Sequence, residues 1–303
     1  NVGIALGMIL PPLFIEYEVR ETYIFTAFII MIITLVNILL MIPGMREDEE
    51  MIHQTFNDRT QEEERDSFFQ LIKFAIKQKN FVAYLFVYLA QLVLMVLILS
   101  SLPYFVRYVL KMEEIVQTYI SAAFLIGSLV SIPLWVKVSR AHGNRKSYLI
   151  GTLLTTTCFI PMLLIFFFPN ESLLMGTLII TLFLGISTGA VFTNMFPCFS
   201  DVMDEIIVKT GKRKESSFVG IRTFFGRFSI VIEAMIFTIV HEITNYVPGA
   251  ETQGPLALFG ILFIMAVVPM IFYFIGFLVM WRVYDLDQDK MGRIQGKLRK
   301  LDL

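Results

Sequence analysis

The segment "SDVMDEIIVKTGKRKES", residues 200–216, joins two long apolar runs of the chain, residues 173–199 and 218–240. Its first acidic residues precede its basic residues, so the charge changes sign within a short distance. A charged link between two apolar runs, each near the ~20 residues that a helix needs to cross a bilayer, is typical of a protein embedded in lipid. The segment therefore predicts a helical membrane protein with this link at one membrane surface.

The overall composition agrees with a membrane protein. The chain has 303 residues, of which 56% are hydrophobic, whereas soluble domains contain about 45–50% apolar residues. The formal net charge of −1 gives no support for binding to nucleic acid. Both cysteines, Cys158 and Cys198, lie inside apolar runs, which argues against a disulfide framework.

The sequence gives no sign of enzyme or metal chemistry. It contains no GxSxG motif, and the Gly-Lys pair in "KTGKRKES" lacks the earlier glycine that a phosphate-binding loop needs. The three histidines, His53, His142 and His241, are scattered without the spacing of metal ligands. We therefore expect a protein that is not an enzyme and that has no metal or other cofactor.

Runs with few or no charges recur along the whole chain. Most are long enough for a helix that crosses the ~30 Å hydrocarbon core, and they lack the alternation of membrane β-strands. Because a helix satisfies its own backbone hydrogen bonds in lipid, we predict an all-α membrane protein with eight transmembrane helices. The predicted helices are residues 2–15, 22–43, 81–105, 115–136, 148–168, 173–199, 218–240 and 256–281.

Lysine and arginine are concentrated in every second link between these runs. The rich links contain six, four, four and five such residues, and they are residues 44–80, 137–147, 200–217 and 283–303. The poor links contain one, two, none and none, and they are residues 16–21, 106–114, 169–172 and 241–255. The positive-inside rule places the rich links in the cytoplasm. We therefore expect a multi-pass protein of the cell membrane with a cytoplasmic C-terminus.

The longest link divides the chain into parts. It contains "REDEEMIHQTFNDRTQEEERD", which has too few apolar residues to fold alone. We predict two helices in residues 1–43, a cytoplasmic connector at 44–80, a six-helix bundle at 81–282 and a cytoplasmic tail at 283–303. Two six-helix halves joined by a long connector form the major facilitator fold. Since the chain begins inside an apolar run, we expect the N-terminal four of twelve helices to be missing.

The charged link carries the pattern D-x-x-D-x(4)-K-T-G-K-R, from Asp201 to Arg213. This pattern resembles the signature of the glycoside–pentoside–hexuronide:cation symporters, the melibiose-carrier branch of the major facilitator superfamily. Three other segments are similar to the same family: "KNF" at 79–81, "NYVPGAETQGPLALFGILFIMAVVPMIF" at 245–272 and "YDLDQDKMGRIQGKL" at 284–298. The resemblance covers most of the chain and implies that it corresponds to helices five to twelve.

The resemblance suggests that acids and bases near the link form a cytoplasmic gate, broken and remade during alternating access. Six residues are candidates for this charge network: Asp201, Asp204, Lys209, Arg213, Arg140 and Arg145. The alternative is that the bases only anchor the link at the cytoplasmic surface and cap the preceding helix. The chain departs from many members after the second aspartate, where Glu205 occupies the position of a tyrosine.

Three charged residues, Arg222, Arg227 and Glu233, lie within the apolar run 218–240. Charges inside a membrane are costly and usually face a cavity or a partner. Arg227 lies roughly 14 Å from Phe218 along a helix, close to the bilayer midplane. Arg222 lies nearer the cytoplasmic end, where a long side chain can snorkel. Arg227 therefore either lines a cavity or forms an ion pair with another helix.

The resemblance also implies a substrate site. Arg227 stands where melibiose-type carriers have a pocket lysine, Thr223 stands on a pocket threonine, and Phe192 stands on a pocket tryptophan. An aromatic ring at residue 192 can stack on a sugar, although such a residue also fits a lipid-facing or core position. A guanidinium binds carboxylate or phosphate through a planar fork, which favours an anionic sugar, such as a hexuronide, or another anion.

The sequence thus predicts a secondary transporter that moves a sugar or glycoside together with Na⁺ or H⁺, with the cation site on helices that precede residue 1. The alternatives are a carrier of a lysolipid or another amphiphile, and a membrane receptor or scaffold that does not transport. A lipid carrier needs an apolar cavity, whereas a sugar carrier needs many hydrogen-bonding groups. The expected partners are the lipid bilayer and a small-molecule substrate, and the protein is expected to be a monomer.

Overall fold

The computed structural model describes residues 7, 10–16, 19–45, 67–167, 172–211 and 215–299. Within these ranges every regular element is helical. Half of the first predicted run, the acidic part of the connector and Arg213 lie outside the described residues.

Ten helices are labelled within the described ranges, and residues 10–14 are also helical. They are α1 (Arg20–Met41), α2 (Phe68–Lys77), α3 (Lys79–Tyr104), α4 (Ile115–His142), α5 (Asn144–Leu163), α6 (Leu173–Thr210), α7 (Glu215–Ile243), α8 (Pro255–Leu262), α9 (Val268–Val283) and α10 (Gln288–Leu298). A π-helical turn, Phe105–Leu110, continues α3 beyond Pro103, and a second one, Phe263–Val267, joins α8 to α9.

Six helical stretches in the described ranges are long and apolar enough to cross a membrane. They are Arg20–Gly44, Lys79–Leu110, Ile115–His142, Leu173–Thr210, Glu215–Ile243 and Pro255–Val283, and each contains most or all of one predicted run. The predicted run 148–168 overlaps α5, which is not one of the six. The all-helical prediction is confirmed. The count of eight, the four missing helices and the domain boundaries stay predictions.

The charged link is shorter than the sequence predicted, because α6 continues past Phe199 to Thr210. With 38 residues, α6 is about 57 Å long, which exceeds the ~30 Å hydrocarbon core and carries its last turns out of the membrane. The helix ends at Gly211, whose φ of 67° lies in the left-handed region that glycine tolerates. Asp201 and Asp204 therefore lie on helix α6 and not in a loop.

Glycines allow α6 to pack against α4 at the distance of backbone contact. A Cβ atom on Gly185 would lie 2.0 Å from the carbonyl oxygen of Phe124, and one on Gly127 would lie 2.2 Å from the carbonyl oxygen of Leu182. Small residues at such crossings let membrane helices gain van der Waals contact along their backbones. The α4–α6 pair therefore depends on the absence of side chains at these positions.

Hydrogen bonds donated by side chains tie α5 and α4 to α6. The Asn194 amide donates to the Ser147 hydroxyl at 2.8 Å, and the Thr155 hydroxyl donates to Ser187 at 3.1 Å. The Trp135 indole N–H donates to the carbonyl oxygen of Ile186 at 2.7 Å. In membrane proteins such bonds contribute about 0.6 kcal/mol each on average, so packing and hydrogen bonding stabilise this part of the bundle together.

Helix α7 lies at the edge of the bundle and packs mainly against α3. Only 11% of its most apolar stretch is buried, compared with 50% in the spans that contain α3 and α6. The charged residues Arg222, Arg227 and Glu233 all belong to this helix. The fold therefore places Arg222, Arg227 and Glu233 on one of the two spans whose most apolar stretch is largely uncovered in the described part of the chain, the other being Arg20–Gly44 with 6% buried.

Candidate functional site

Two of the three predicted substrate-site residues lie on the exposed surface of α7. Arg227 and Thr223 are one turn apart and both exposed, and the Thr223 hydroxyl donates to the carbonyl oxygen of Val219 at 2.9 Å. Phe192 lies on α6 and is half-buried. Among the described residues, no carboxylate forms an ion pair with Arg227. The roles of these three residues stay predictions.

Exposed aromatic rings flank Arg227 on α7. Phe224 and Phe228 are 42% and 44% exposed, and their ring centres lie 5.6 Å apart. Phe68, at the start of α2, meets Phe224 edge-on at 5.5 Å. The guanidinium of Arg227 therefore belongs to a surface that is otherwise aromatic.

Arg222 does not snorkel along the helix but lies in a cage of aromatic rings from α3 and α6. Its guanidinium carbon lies 4.6 Å from the ring centre of Phe199, 5.3 Å from that of Tyr88 and 5.5 Å from that of Phe196. Its Nη1 atom donates to the Tyr84 hydroxyl at 3.3 Å. Cation–π contacts contribute about 0.5–2 kcal/mol each, so Arg222 fastens α7 to α3 and α6.

A cavity of about 960 Å³ lies between the C-terminal ends of α3 and α7, on the side that the positive-inside rule places outside the cell. We call it the outer cavity. Carboxylates line it at Glu233 and Glu242, an imidazole at His241 and a guanidinium at Arg107. The outer cavity thus combines charged and aromatic side chains.

Five aromatic rings of the outer cavity contact one another, and they belong to Tyr104, Tyr108, Phe237, His241 and Tyr246. His241 stacks on Tyr246 with ring centres 4.4 Å apart and meets Phe237 at 5.0 Å. The Nε2 atom of His241 is buried and has no hydrogen-bond partner among the described residues. Sequence reasoning noted His241 only as one of three scattered histidines.

Asp201 and Lys209, two of the residues predicted for the cytoplasmic gate, have separate partners. The Asn144 amide, at the start of α5, donates to Asp201 at 2.9 Å. Lys209 forms an ion pair at 3.2 Å with Glu205, one turn earlier on α6. Asp201 is therefore held by α5, whereas Lys209 belongs to a different group of charges.

The other predicted gate residues do not join them. Arg145 donates from Nη2 to the carbonyl oxygen of Trp281 at 3.1 Å. Arg140 is exposed and Asp204 is half-buried, and neither forms an ion pair within the described ranges. Arg213 lies outside the described residues. The structure thus shows no single network of these six side chains in its described part, and their gating role stays a prediction.

A different set of polar and charged side chains does come together, at the end of the bundle that the positive-inside rule places in the cytoplasm. We call it the tail cluster, and it consists of Lys79, Asn80, Glu205, Lys209, Asp285 and Lys290. At its centre, the Glu205 side chain is only 6% exposed. Glu205 accepts hydrogen bonds from Asn80 at 2.7 Å and from Lys290 at 3.0 Å, in addition to its pair with Lys209.

Asp285 forms the second half of the tail cluster. It accepts hydrogen bonds from Lys79 at 2.6 Å, from Lys290 at 2.7 Å and from Asn80 at 2.8 Å. Its backbone N–H donates to the Asn80 side-chain oxygen at 2.9 Å. Lys290 therefore bridges two carboxylates, and the cluster joins the start of α3, the end of α6 and the tail helix α10.

The segments that carry the tail cluster were visible in the sequence, but their pairing was not. "KNF" and "YDLDQDK" had been singled out by family resemblance, and Glu205 as a departure from the family pattern. The contacts join residues that are far apart in the chain, and a single sequence carries no signal for such pairs. The structure therefore identifies Asn80, Asp285 and Lys290 as members of a polar cluster that the sequence did not predict.

The tail cluster is expected to hold at neutral pH and to loosen only in acid. Burial alone would raise the pKa of Asp285, but hydrogen bonds from Lys290, Lys79 and Asn80 outweigh burial and lower that pKa well below its usual range. A carboxylate with a lowered pKa stabilises the folded state above its unfolded pKa, and this contribution is lost as the pH falls. The tail should stay docked above about pH 5, and its docking should weaken progressively as the pH falls below the unfolded pKa of about 4 toward the lowered pKa of Asp285. Fluorescence anisotropy of a dye at Gly296→Cys tests this, and release between pH 5 and 7 would contradict it.

Removing Lys290 should release the tail helix at neutral pH. Lys290→Ala deletes bonds to both Glu205 and Asp285, and bonds to charged groups contribute about 1.5–3 kcal/mol each. We expect trypsin to cleave after the exposed Arg293 at least about tenfold faster than in the wild type. Lys297→Ala, an exposed change on the same helix, is the control and should leave this rate unchanged. Equal cleavage rates in the wild type and Lys290→Ala would show that the cluster does not hold the tail.

The described residues contain no group of three or more His, Cys, Asp or Glu side chains placed to hold a metal ion. The two cysteines are free, with Cys198 buried and Cys158 half-buried. The candidate site in the described part of the chain is therefore built from charged, hydroxyl and aromatic side chains along α7.

Comparison with protein families gives one match that covers most of the chain. A family model described as MFS/sugar transport protein matches residues 1–288. The match extends from the start of the chain through the connector and the helical bundle to the first residue of α10.

Individual relatives are similar at low identity. The chain is 26% identical over 195 residues to a glucuronide carrier protein homolog of Escherichia coli (strain K12). The matched region covers 64% of the chain and 41% of that protein. It is 21% identical over 276 residues to sodium-dependent lysophosphatidylcholine symporter 1-A of Danio rerio. This matched region covers 90% of the chain and 49% of that protein. The corresponding symporter 1 of Homo sapiens is 20% identical over 286 residues, 94% of the chain and 50% of that protein. The chain thus spans about half the length of the curated relatives it matches.

Proposed function

Because the chain belongs to the MFS/sugar transport protein family, we propose that it is the substrate-binding part of a cation-coupled secondary transporter for a sugar or glycoside with an anionic group. The transporter works by alternating access, in which the substrate site opens to one side of the membrane at a time. Coupling is to Na⁺ or H⁺, and the protein is not an enzyme. It spans the cell membrane with its tail in the cytoplasm.

The observation that carries this proposal is the uncovered charged surface of α7. A charged side chain such as arginine at the centre of a membrane helix costs about 2.5–3.5 kcal/mol, and such residues usually face a water-filled cavity or a partner. Arg227 is exposed and Glu233 lines the outer cavity, in a span that is otherwise apolar. This arrangement supports a water-filled path along α7.

The anionic group of the substrate follows from Arg227. A guanidinium donates two parallel hydrogen bonds to a carboxylate or phosphate, and the lysine expected from the family resemblance cannot do so. Similarity to the glucuronide carrier homolog supports a carboxylate on a sugar. We place the acidic group of the substrate at Arg227, with Thr223 and Phe192 as neighbouring contacts.

An amphiphile such as a lysolipid is the second candidate substrate. Phe224 and Phe228 flank Arg227 with large exposed surfaces, which would suit an anionic head group joined to an apolar tail. Two lysophosphatidylcholine symporters, those of Danio rerio and Homo sapiens, are similar to this chain over 90% or more of its length. In a carrier of this kind Arg227 still binds the anionic group of the substrate. The rest of the substrate is then an apolar tail and not a sugar.

We further propose that the cytoplasmic charges regulate access to the substrate site. The bond between Asp201 and Asn144 holds one acid of the pair, while Asp204 forms no ion pair within the described ranges. In this proposal the gate uses the residues that the family signature indicates, namely Asp201, Asp204, Lys209, Arg213, Arg140 and Arg145.

The proposed function is tested by substrate competition in proteoliposomes. They contain the complete gene product, which is the whole protein that includes residues 1–303. Uptake of radiolabelled phenyl glucuronide is measured in the presence of excess melibiose, glucuronic acid or lysophosphatidylcholine. Uptake that is inhibited by glucuronic acid and not by lysophosphatidylcholine supports the anionic glycoside. Uptake of labelled lysophosphatidylcholine alone would move the function to the second candidate. A folded protein that takes up none of these compounds would overturn transport and favour a receptor or scaffold.

A further inference from the structure

We propose that the outer cavity is a second substrate subsite and that Glu233 is its specificity-determining residue, which binds sugar hydroxyl groups. This inference rests on the proposed function and deepens it. It places the acidic end of the substrate at Arg227 and its sugar hydroxyls at the outer cavity.

The position of Glu233 is difficult to explain by packing or by anchoring. It lies ten residues before the end of α7 at Ile243, or about 15 Å inside the helix end. Within the described ranges it forms no hydrogen bond or ion pair, and it lines the outer cavity. Its neighbours Ile232 and Ile236 pack against a buried core cluster instead. A carboxylate at this depth is retained where it meets water or a polar ligand.

The lining of the outer cavity suits a sugar ring. An ionised carboxylate only accepts hydrogen bonds, so Glu233 selects groups that donate them, and sugar hydroxyls do. The buried Nε2 of His241 has no hydrogen-bond partner in the part of the chain that the structure describes, and an unsatisfied polar atom of this kind costs about 1–3 kcal/mol unless a ligand or water reaches it. Tyr104 and Phe237 supply apolar surface for the C–H groups of the ring.

The spacing of the two charges on α7 sets a minimum length for the substrate. Arg227 and Glu233 are six residues apart, which separates them by about 9 Å along the helix axis and by about 120° around it. A substrate that binds both must therefore extend along α7 and partly around it. One hexose ring is too short to reach both. The geometry therefore points to a glycoside, whose acidic group binds Arg227 while hydroxyls at its other end bind Glu233.

The test compares Glu233→Gln, Glu233→Asp and a matched control in the complete gene product. The probe is an aldobiouronic acid, a disaccharide in which glucuronic acid is linked to a neutral hexose. Its initial rates of uptake give KM and kcat, and thermal unfolding with and without this disaccharide gives the shift in Tm that reports binding directly. Glu233→Gln should raise KM about tenfold or more with kcat within about twofold, since a lost bond to a charged group weakens binding by that order. Glu233→Asp should recover part of the affinity. Glu251→Gln, at an exposed carboxylate in the loop after α7 that is not among the residues lining the outer cavity, is the control and is expected to leave KM within about twofold.

Three results would overturn the inference: an unchanged KM and Tm shift in Glu233→Gln, an equal effect of Glu251→Gln, or loss of the cation dependence at unchanged KM. The last result would make Glu233 a cation-binding group and not a substrate ligand. If Glu233→Gln fails to fold, Glu233→Asp decides the question, since an unchanged KM and Tm shift in that variant would likewise overturn the inference. If the wild type shows no uptake, transport itself fails, and the Tm shift still tests whether binding depends on Glu233.

Discussion

Replacing Arg227 with glutamine is expected to reduce the uptake of an anionic glycoside by about 10- to 100-fold at low substrate concentration. The amide cannot form the two-pronged, charge-assisted hydrogen bond to a carboxylate, and bonds to charged groups contribute about 1.5–3 kcal/mol. Uptake of the matching neutral glycoside should fall by less than about threefold, because only the acidic group loses its partner. Initial uptake rates of the two compounds in proteoliposomes provide the measurement.

Two further variants separate substrate binding by Arg227 from a structural role. Arg227→Lys keeps the charge without the fork, so it should recover part of the uptake. Arg282→Gln removes an exposed arginine that stacks on Trp281 at 4.9 Å near the end of α9, and it should have little effect. Equal losses for neutral and anionic glycosides in Arg227→Gln would instead indicate that Arg227 stabilises the protein through an ion pair with another helix.

Replacing Gly185 with alanine should destabilise the helical bundle severely. The added Cβ would lie 2.0 Å from the carbonyl oxygen of Phe124 and 3.0 Å from the backbone nitrogen of Ser128. These are backbone atoms of α4, so the clash is relieved only by moving one helix away from the other. Overpacking of this kind costs about 1–3 kcal/mol, occasionally more. We expect a clearly lower Tm and a reduced yield of folded protein in detergent.

Gly176 offers a matched control for this substitution on the same helix. A Cβ atom at Gly176 would meet nothing within 4 Å. Alanine is favoured over glycine by about 1 kcal/mol in a helix interior, so Gly176→Ala should preserve or raise the Tm. A similar fall of Tm in both variants would contradict the backbone packing of α4 against α6 described above.

The transmembrane helices were largely predictable because bilayer thickness sets the length of an apolar run. Six predicted runs fall on stretches that are long enough to span a membrane, and the resemblance carried by Asp201, Asp204 and Lys209 is confirmed by the match to the MFS/sugar transport protein family. The end of α6 was not predictable by the same reasoning. An apolar run measures the membrane crossing, whereas the helix continues in polar surroundings until Gly211 ends it.

The candidate site was predictable only where one helix determines it. The position of Arg227 within an apolar run favours a functional role for α7 without any tertiary structure, whereas Glu233 by itself fits an interhelical hydrogen bond equally well. The cage around Arg222 depends on Tyr88 and Phe199, which two other helices supply. The outer cavity and the tail cluster likewise arise where distant parts of the chain meet, and periodicity along one segment contains no information about such contacts.

The central claim, cation-coupled transport of an anionic glycoside, is tested most directly by concentrative uptake. Proteoliposomes with the complete gene product receive radiolabelled phenyl glucuronide under an inward Na⁺ gradient, an inward H⁺ gradient or no gradient. We predict that one gradient drives accumulation above the external concentration, that an ionophore for that cation abolishes it, and that Arg227→Gln lacks it. Uptake that only equilibrates under every gradient, or no uptake by a folded protein, would contradict the claim.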